Sequence, residues 1–272
     1  IEFANKIQKM KIYHYTSIET LALIVYNKNI RFNRLDFVDD CEESLYGSGP
    51  TNTKLGQYTF VSCWTKDSKE NLSLWKMYTN NKGVRIGLDE DMFITHKVNE
   101  KFQSYFAKPM DMIGNAMVSS FTNEAKLYDV VYVQELESEM KNLIEKVGDT
   151  GAWIKTDKMG LFKREEWSFQ KECRFKINVN PINPNYINKT NGKSDFDILY
   201  SFMNALGPSI VANTPVNFTY IDIPLKESKL DCIEVMMGPM TTEGEKIIVK
   251  HLLAKFNNAT VKDSYFKGKI RK

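Results

Sequence analysis

Histidine and cysteine are scarce in this chain, and the few present are scattered: three histidines and four cysteines among 272 residues. His14, His96 and His251 share no metal-ligand spacing with one another or with a cysteine pair, which argues against a zinc site. Cys41, Cys63, Cys173 and Cys232 form no Cys-x-x-Cys motif, so a disulfide scaffold is not expected. Two of the four lie in apolar, strand-like runs, where a buried thiol is the ordinary outcome. Cysteine usage of this kind fits a reducing compartment, and a cytoplasmic location follows as an expectation. No apolar run approaches the ~20 residues that a membrane span requires. Charge of one sign is not in excess either. A net charge of +3 does not announce a nucleic-acid binder, although it leaves room for a local basic groove. Repeats, low-complexity tracts and the Gly-rich turn of a dinucleotide-binding parallel sheet are also absent.

What remains is the composition of a folded protein. A hydrophobic fraction of 42% and a charged fraction of 26% argue against disorder. The chain is long enough for a sizeable core. It starts Ile-Glu-Phe rather than Met, so residues 1–10 are set aside as a vector-derived or flexible start. Residues 11–272 are read as a single domain with a variable central region over 89–159. Strands are expected at 11–15, 29–32, 58–64, 83–88, 128–133, 171–179, 218–223, 232–237 and 260–265. Helices are expected at 18–27 behind a Ser17 cap, at 70–78, at 135–146 and at 241–256. Residues 33–57 and 180–193 read as loops. Strands and helices interleave irregularly, which favours α+β.

Four clusters carry chemistry. Tyr13-His14-Tyr15-Thr16 ends the first strand. A histidine there is ordinarily a satisfied structural residue; with Thr16 and the following helix beside it, it can instead donate to a ribose hydroxyl. The loop Phe32–Asp40 reads either as a solvated acidic turn or as a lid, because Phe32, Leu35 and Phe37 are unusual on a plain turn. Its carboxylates, Asp36, Asp39, Asp40, Glu42 and Glu43, can also recruit a metal, but their spacing matches no known cation loop. The third cluster joins Ser62, in Phe60–Thr65, to Trp75 and Tyr78 on one helix face. Those aromatics are either core or a platform for a pyridinium or a base. In the fourth, Glu172, Arg174 and Lys176 share one strand face and Cys173, Phe175 and Ile177 the other. That polar face is either a surface ion-pair ladder or a cleft in which Arg174 or Lys171 keeps Glu172 ionised to stabilise an oxocarbenium ion.

Tyr13–Ser17, Ile30–Asn33, Phe60–Trp64, Leu74–Tyr78 with Gly83–Gly87, and Trp167–Arg174, in that order, resemble the bacterial family called domain of unknown function 2971. The resemblance runs from about residue 11 to the C-terminal region. Two motifs depart from it: Phe32-Asn33-Arg34-Leu35 stands where the family has Phe-Asn-Asp-Pro, and Gln170-Lys171-Glu172-Cys173-Arg174 where it has Glu-x-Glu-x-Arg. The motif order is similar to that of ADP-ribosyltransferases of the histidine–tyrosine–glutamate type. That resemblance implies a split, twisted mixed sheet flanked by helices and an ADP-ribosyltransferase-like fold. It implies NAD as co-substrate, His14 on the adenosine ribose, Glu172 on the nicotinamide ribose, and Tyr78 (or Trp75, or Tyr58) stacking the nicotinamide. Thr16, Ser62, Trp75 and Arg174 complete the expected NAD-binding set, with no metal. Gln170 is similar to the Gln of the Gln-x-Glu turn that selects the acceptor in mono-ADP-ribosyltransferases, although here it is expected on a strand. The expected role is a toxin or phage-defence effector acting on a protein or nucleic-acid acceptor, away from membranes. Two other readings stay open: a metal-dependent nucleic-acid-processing protein, supported by the basic residues Lys262, Lys267, Lys269, Arg271 and Lys272, and a catalytically inert interaction module.

Overall fold

Alternating β-branched and aromatic segments build the framework. The computed structural model describes residues 10–44, 54–141, 143–147, 151–187 and 194–271, so most of the 1–10 start lies outside the described residues. Nine strands form one mixed sheet: β1 (Lys11–Thr16), β2 (Asn29–Arg34), β3 (Thr59–Thr65), β4 (Val84–Asp89), β5 (Tyr128–Asp129), β6 (Glu172–Asn178), β7 (Tyr220–Pro224), β8 (Glu234–Met237) and β9 (Thr260–Asp263). Their order is β7-β2-β3-β1-β4-β8-β9, with β6 also paired to β3 and β5 to β6. All pairs are antiparallel except β8 with β9. Helices cover the sheet, so the chain is α+β.

The register around β3 fixes the rest. Thr65 pairs with Tyr13 on one edge and with Glu172 on the other, while Val61 pairs with Asn33 and with Lys176. A strand has two edges, so β1 and β2 must share one edge of β3, the first at its C-terminal end and the second at its N-terminal end. Between them Ser62, Cys63 and Trp64 have no strand partner on that edge. The sheet is split there.

Helix starts follow their caps. For α1 (Ile18–Asn27) the Ser17 side chain accepts from the Thr20 amide, and Leu21, Ile24 and Val25 face the core. For α2 (Leu72–Thr79) Asn71 accepts from the Ser73 and Leu74 amides. A helix not anticipated, α3 (Asp195–Val211), starts from a capping box of Ser194 and Asp197. In α4 (Glu243–Leu253) Thr242 and Glu245 cap each other. The helix expected over 135–146 stops at Lys141, and Ile144–Val147 pairs instead with Gly151–Ile154 as an antiparallel ladder. Gly83 is a glycine for room rather than for a turn, because a Cβ there would lie 2.2 Å from the Thr16 carbonyl oxygen. Among the described residues no helix is long and apolar enough to cross a membrane.

Candidate active site

The split leaves a cleft of about 450 Å³, within the ~300–1,000 Å³ range of ligand sites. Its walls come from β1, β2, β3 and α1, and from the turn carrying Phe37, Val38 and Asp39. His14, Thr16, Ser62, Tyr78 and Glu172 all line it, so five of the seven expected site residues are brought together from distant parts of the chain.

His14 fills part of the split. Its Nδ1 lies 2.8 Å from the Cys63 carbonyl oxygen, one of the groups that no neighbouring strand takes on that edge. A carbonyl can only accept, so Nδ1 carries the proton. Burial lowers the imidazole's pKa, against the opposing effect of the Cys63 bond. A neutral ring protonated at Nδ1 presents Nε2 to its surroundings as an acceptor, which corrects the expectation of a donor. The ring also packs at 5.2 Å from that of Trp64.

Glu172 opens β6, and its environment is a closed ring of charge. Arg174 Nε donates to Glu172 Oε1 at 2.5 Å, and Arg174 Nη1 donates to Glu43 Oε2. Lys163 Nζ lies 3.0 Å from Glu43 Oε1 and 3.2 Å from Glu172 Oε2. Each carboxylate thus touches both cations. Lys163, Glu43 and Arg174 are wholly buried and Glu172 is 8% exposed, so of the two readings of this polar face the surface ladder is excluded. The Lys163 ammonium also sits 4.7 Å from the centre of the Trp167 ring. Lys171 takes no part: it points away, to Asp67 at 2.8 Å. Lys176, third on the polar face, is spent on the Thr156, Asp157 and Met159 carbonyls. Burial would raise the Glu172 carboxyl, but Arg174 and Lys163 together outweigh it and hold the pKa down at about 2. Burial and the Glu172 carboxylate push the Cys63 thiol up, so it stays neutral.

A second polar chain runs along the rim. Gln170 Nε2 donates to Tyr78 Oη at 2.9 Å, and Tyr78 Oη donates to Asp39 Oδ2 at 2.7 Å. Burial, then Asp39, raises the Tyr78 pKa, so the hydroxyl keeps its proton. Gln170 was expected on the strand. It closes a 3₁₀ turn over Glu165–Gln170 instead, and Lys171 follows in the left-handed region at φ 46°.

Two expected ligand contacts are not made in the cleft. Trp75 is wholly buried in a satellite core with Tyr15, Leu74 and Met236, and its indole N–H donates to Glu70. With its ring edge-on to Tyr15 at 4.8 Å, it has no free face for a base. Arg174 lies beneath the wall and reaches the cleft only through Glu172. The acidic loop is likewise redirected. Among the described residues no three His, Cys, Asp or Glu side chains converge as metal ligands, and Glu43 is an ion-pair partner. Of the basic C-terminal residues, Lys267 pairs with Glu243 and Asp263, and Lys262 lies 3.8 Å from Glu234; Lys272 is outside the described residues. Lys163 had no signal in the sequence, because it sits on a three-residue strand (Phe162–Arg164) that belongs to none of the four clusters.

The charge ring has a consequence for acid stability. A carboxyl held below its ordinary value of 4.5 stabilises the fold above that pH, and this stabilisation is lost as pH falls toward about 2. In urea titrations at pH 7, 5 and 3.5, the stability gap between wild type and Glu172→Gln should therefore narrow only below about pH 4.5. A gap that stays constant to pH 3 would contradict the strong pairing.

Residues 74–175 match the family described as "Protein of unknown function (DUF2971)". The matched segment carries Tyr78, Lys163, Gln170, Glu172 and Arg174, and His14 lies before it. No curated protein and no solved structure matches the chain.

Proposed function

We propose that this protein is an NAD-dependent ADP-ribosyltransferase-like enzyme of a toxin or phage-defence kind, with its co-substrate in the split of the sheet. The observation that carries the reading is that strands from opposite halves of the chain place His14 and Glu172 on the walls of one cleft. The chemistry fits what these groups offer. Breaking the glycosidic bond sends its electron pair to the nicotinamide ring, which leaves neutral, and puts a positive charge on the ribose. The ionised Glu172 stabilises that charge without a proton transfer. His14 Nε2 accepts from a ribose hydroxyl, and the exposed ring of Tyr78 offers a stacking face for the nicotinamide. Holding the pieces in line supplies the rest, and no metal is required. The acceptor is a protein or nucleic acid.

Two measurements test this. Wild-type protein should release nicotinamide from NAD above the uncatalysed rate. NAD at a hundredfold excess over its Kd should stabilise the fold by roughly 2.7 kcal/mol, raising Tm by about 5–10 °C, while a chelator leaves Tm unchanged. No release and no shift at millimolar NAD would leave the inert interaction module. A Tm lowered by chelator would turn the reading toward the metal-dependent alternative.

A further inference from the structure

We infer that Lys163 and Glu43 are a charge-balancing pair of positioning residues, which act through Glu172 and keep it a single, aimed anion at the wall of the cleft. The inference rests on reading Glu172 as the stabilising anion of the reaction. The geometry that supports it is the closure of the ring. Two cations alternate with two carboxylates, every carboxylate oxygen has a cation beside it, and the formal charge sums to zero. Arg174 is fixed from below by the Gly160 carbonyl at 2.8 Å. Lys163 is the member held from the cleft side, with Asp39 at 3.6 Å as a third carboxylate. Three of the four ring members, Lys163, Glu43 and Arg174, are wholly buried, so bulk water cannot screen an imbalance among them.

The consequences of removing single members have opposite signs. Without the Glu43 charge, the four-membered ring becomes net positive, offset only by the part-exposed Asp39 at 3.6 Å from Lys163, and a positive charge forming in the cleft meets a weaker anion. Without Lys163, two carboxylates share Arg174, and Glu172 gives up part of its hold on its proton-free state. The other groups that face Glu172 are the neutral Cys63 thiol from β3, the protonated Tyr78 hydroxyl from α2, and Tyr132, whose hydroxyl accepts from the Glu172 amide at 2.8 Å. None of these carries a charge at neutral pH that would replace the one removed.

The test is a charge cycle on the full chain with Lys163→Met, Glu43→Gln and the double variant, read by carboxyl NMR of Glu172 against pH and by nicotinamide release. In Lys163→Met the Glu172 pKa should rise by about 1–3, bringing an acid limb into a measurable range in the pH–rate profile. In Glu43→Gln, release should fall at least tenfold with Glu172 still ionised. The double variant restores a neutral pair, Arg174 with Glu172, and should bring back both the low titration and most of the rate. If either single variant fails to fold, the double variant against wild type still decides the matter. A Glu172 titration that is the same in wild type and Lys163→Met, or a double variant as impaired as the sum of the singles, overturns the inference. Titrations that follow the cycle in a protein releasing no nicotinamide would uphold the pairing and sink the proposed activity.

Discussion

Glu172→Gln should leave a folded protein that releases nicotinamide from NAD about 10²–10³-fold more slowly than wild type. The amide keeps the shape of the side chain and removes only the charge that a ribose cation would meet. Folding survives because neither cation is abandoned: Arg174 and Lys163 both retain Glu43, and Lys163 also has Asp39. The cost is nevertheless more than a surface change would bring, on the order of 1–3 kcal/mol, because a charge-assisted hydrogen bond from the buried Arg174 is weakened. Glu166→Gln is the control, since Glu166 is exposed on the 3₁₀ turn and outside the ring. Circular dichroism and nicotinamide release measured together separate the two effects. A folded Glu172 variant with a wild-type rate would remove the carboxylate from the chemistry; a control that fails equally would mean that the whole turn, and not one charge, is being read.

How far the sequence disclosed this arrangement depends on the kind of signal. Period-two alternation identified β6, and it placed Cys173, Phe175 and Ile177 in the core as expected. The Ser17 cap located α1 to within a few residues, because its side chain satisfies an amide in its own helix, and the helix expected at 241–256 is α4, Glu243–Leu253. Where local and long-range forces compete, the reading fails. Residues 135–146 carry helix-forming Glu and Lys, yet the pairing of Ile144–Val147 with Gly151–Ile154 ends the helix early. The helix over Asp195–Val211 went unread because Gly207 and Pro208 look like breakers, while its capping box uses Asp197 in place of Glu or Gln. In the cleft, His14, Thr16, Ser62, Tyr78 and Glu172 lie together, each drawn from one of the motif clusters. It said nothing of Lys163 or of Glu43 as an ion-pair partner. Their meeting is a product of tertiary folding, and no spacing along the chain records it. Trp75 failed for a related reason: a tryptophan three residues before Tyr78 shares its face only in part, and the lower part of that face is core.

Arg174→Met should be the most damaging single change to stability. It removes the guanidinium that hydrogen-bonds both Glu43 and Glu172 and also the Gly160 carbonyl, leaving Lys163 alone to serve three carboxylates. Breaking a buried pair by deleting one partner costs about 3–5 kcal/mol, a large part of the ~5–15 kcal/mol that keeps a domain folded. Arg174→Lys should recover only a fraction, because an ammonium cannot reproduce a planar fork reaching three separate acceptors. Lys171→Met, three residues away, removes an exposed ion pair with Asp67 and should cost no more than about 1 kcal/mol. Urea midpoints at pH 7 order the three variants, and pH gives the diagnostic sign. Lowering it lets Glu172, freed from the guanidinium, take up a proton more readily in the variant, so the deficit of Arg174→Met should shrink as wild type loses its own Glu172 pairing. An Arg174→Met protein within about 1 kcal/mol of wild type at pH 7 would show that the two carboxylates tolerate each other without the guanidinium. The charge ring would then not be what holds Glu172 against the cleft.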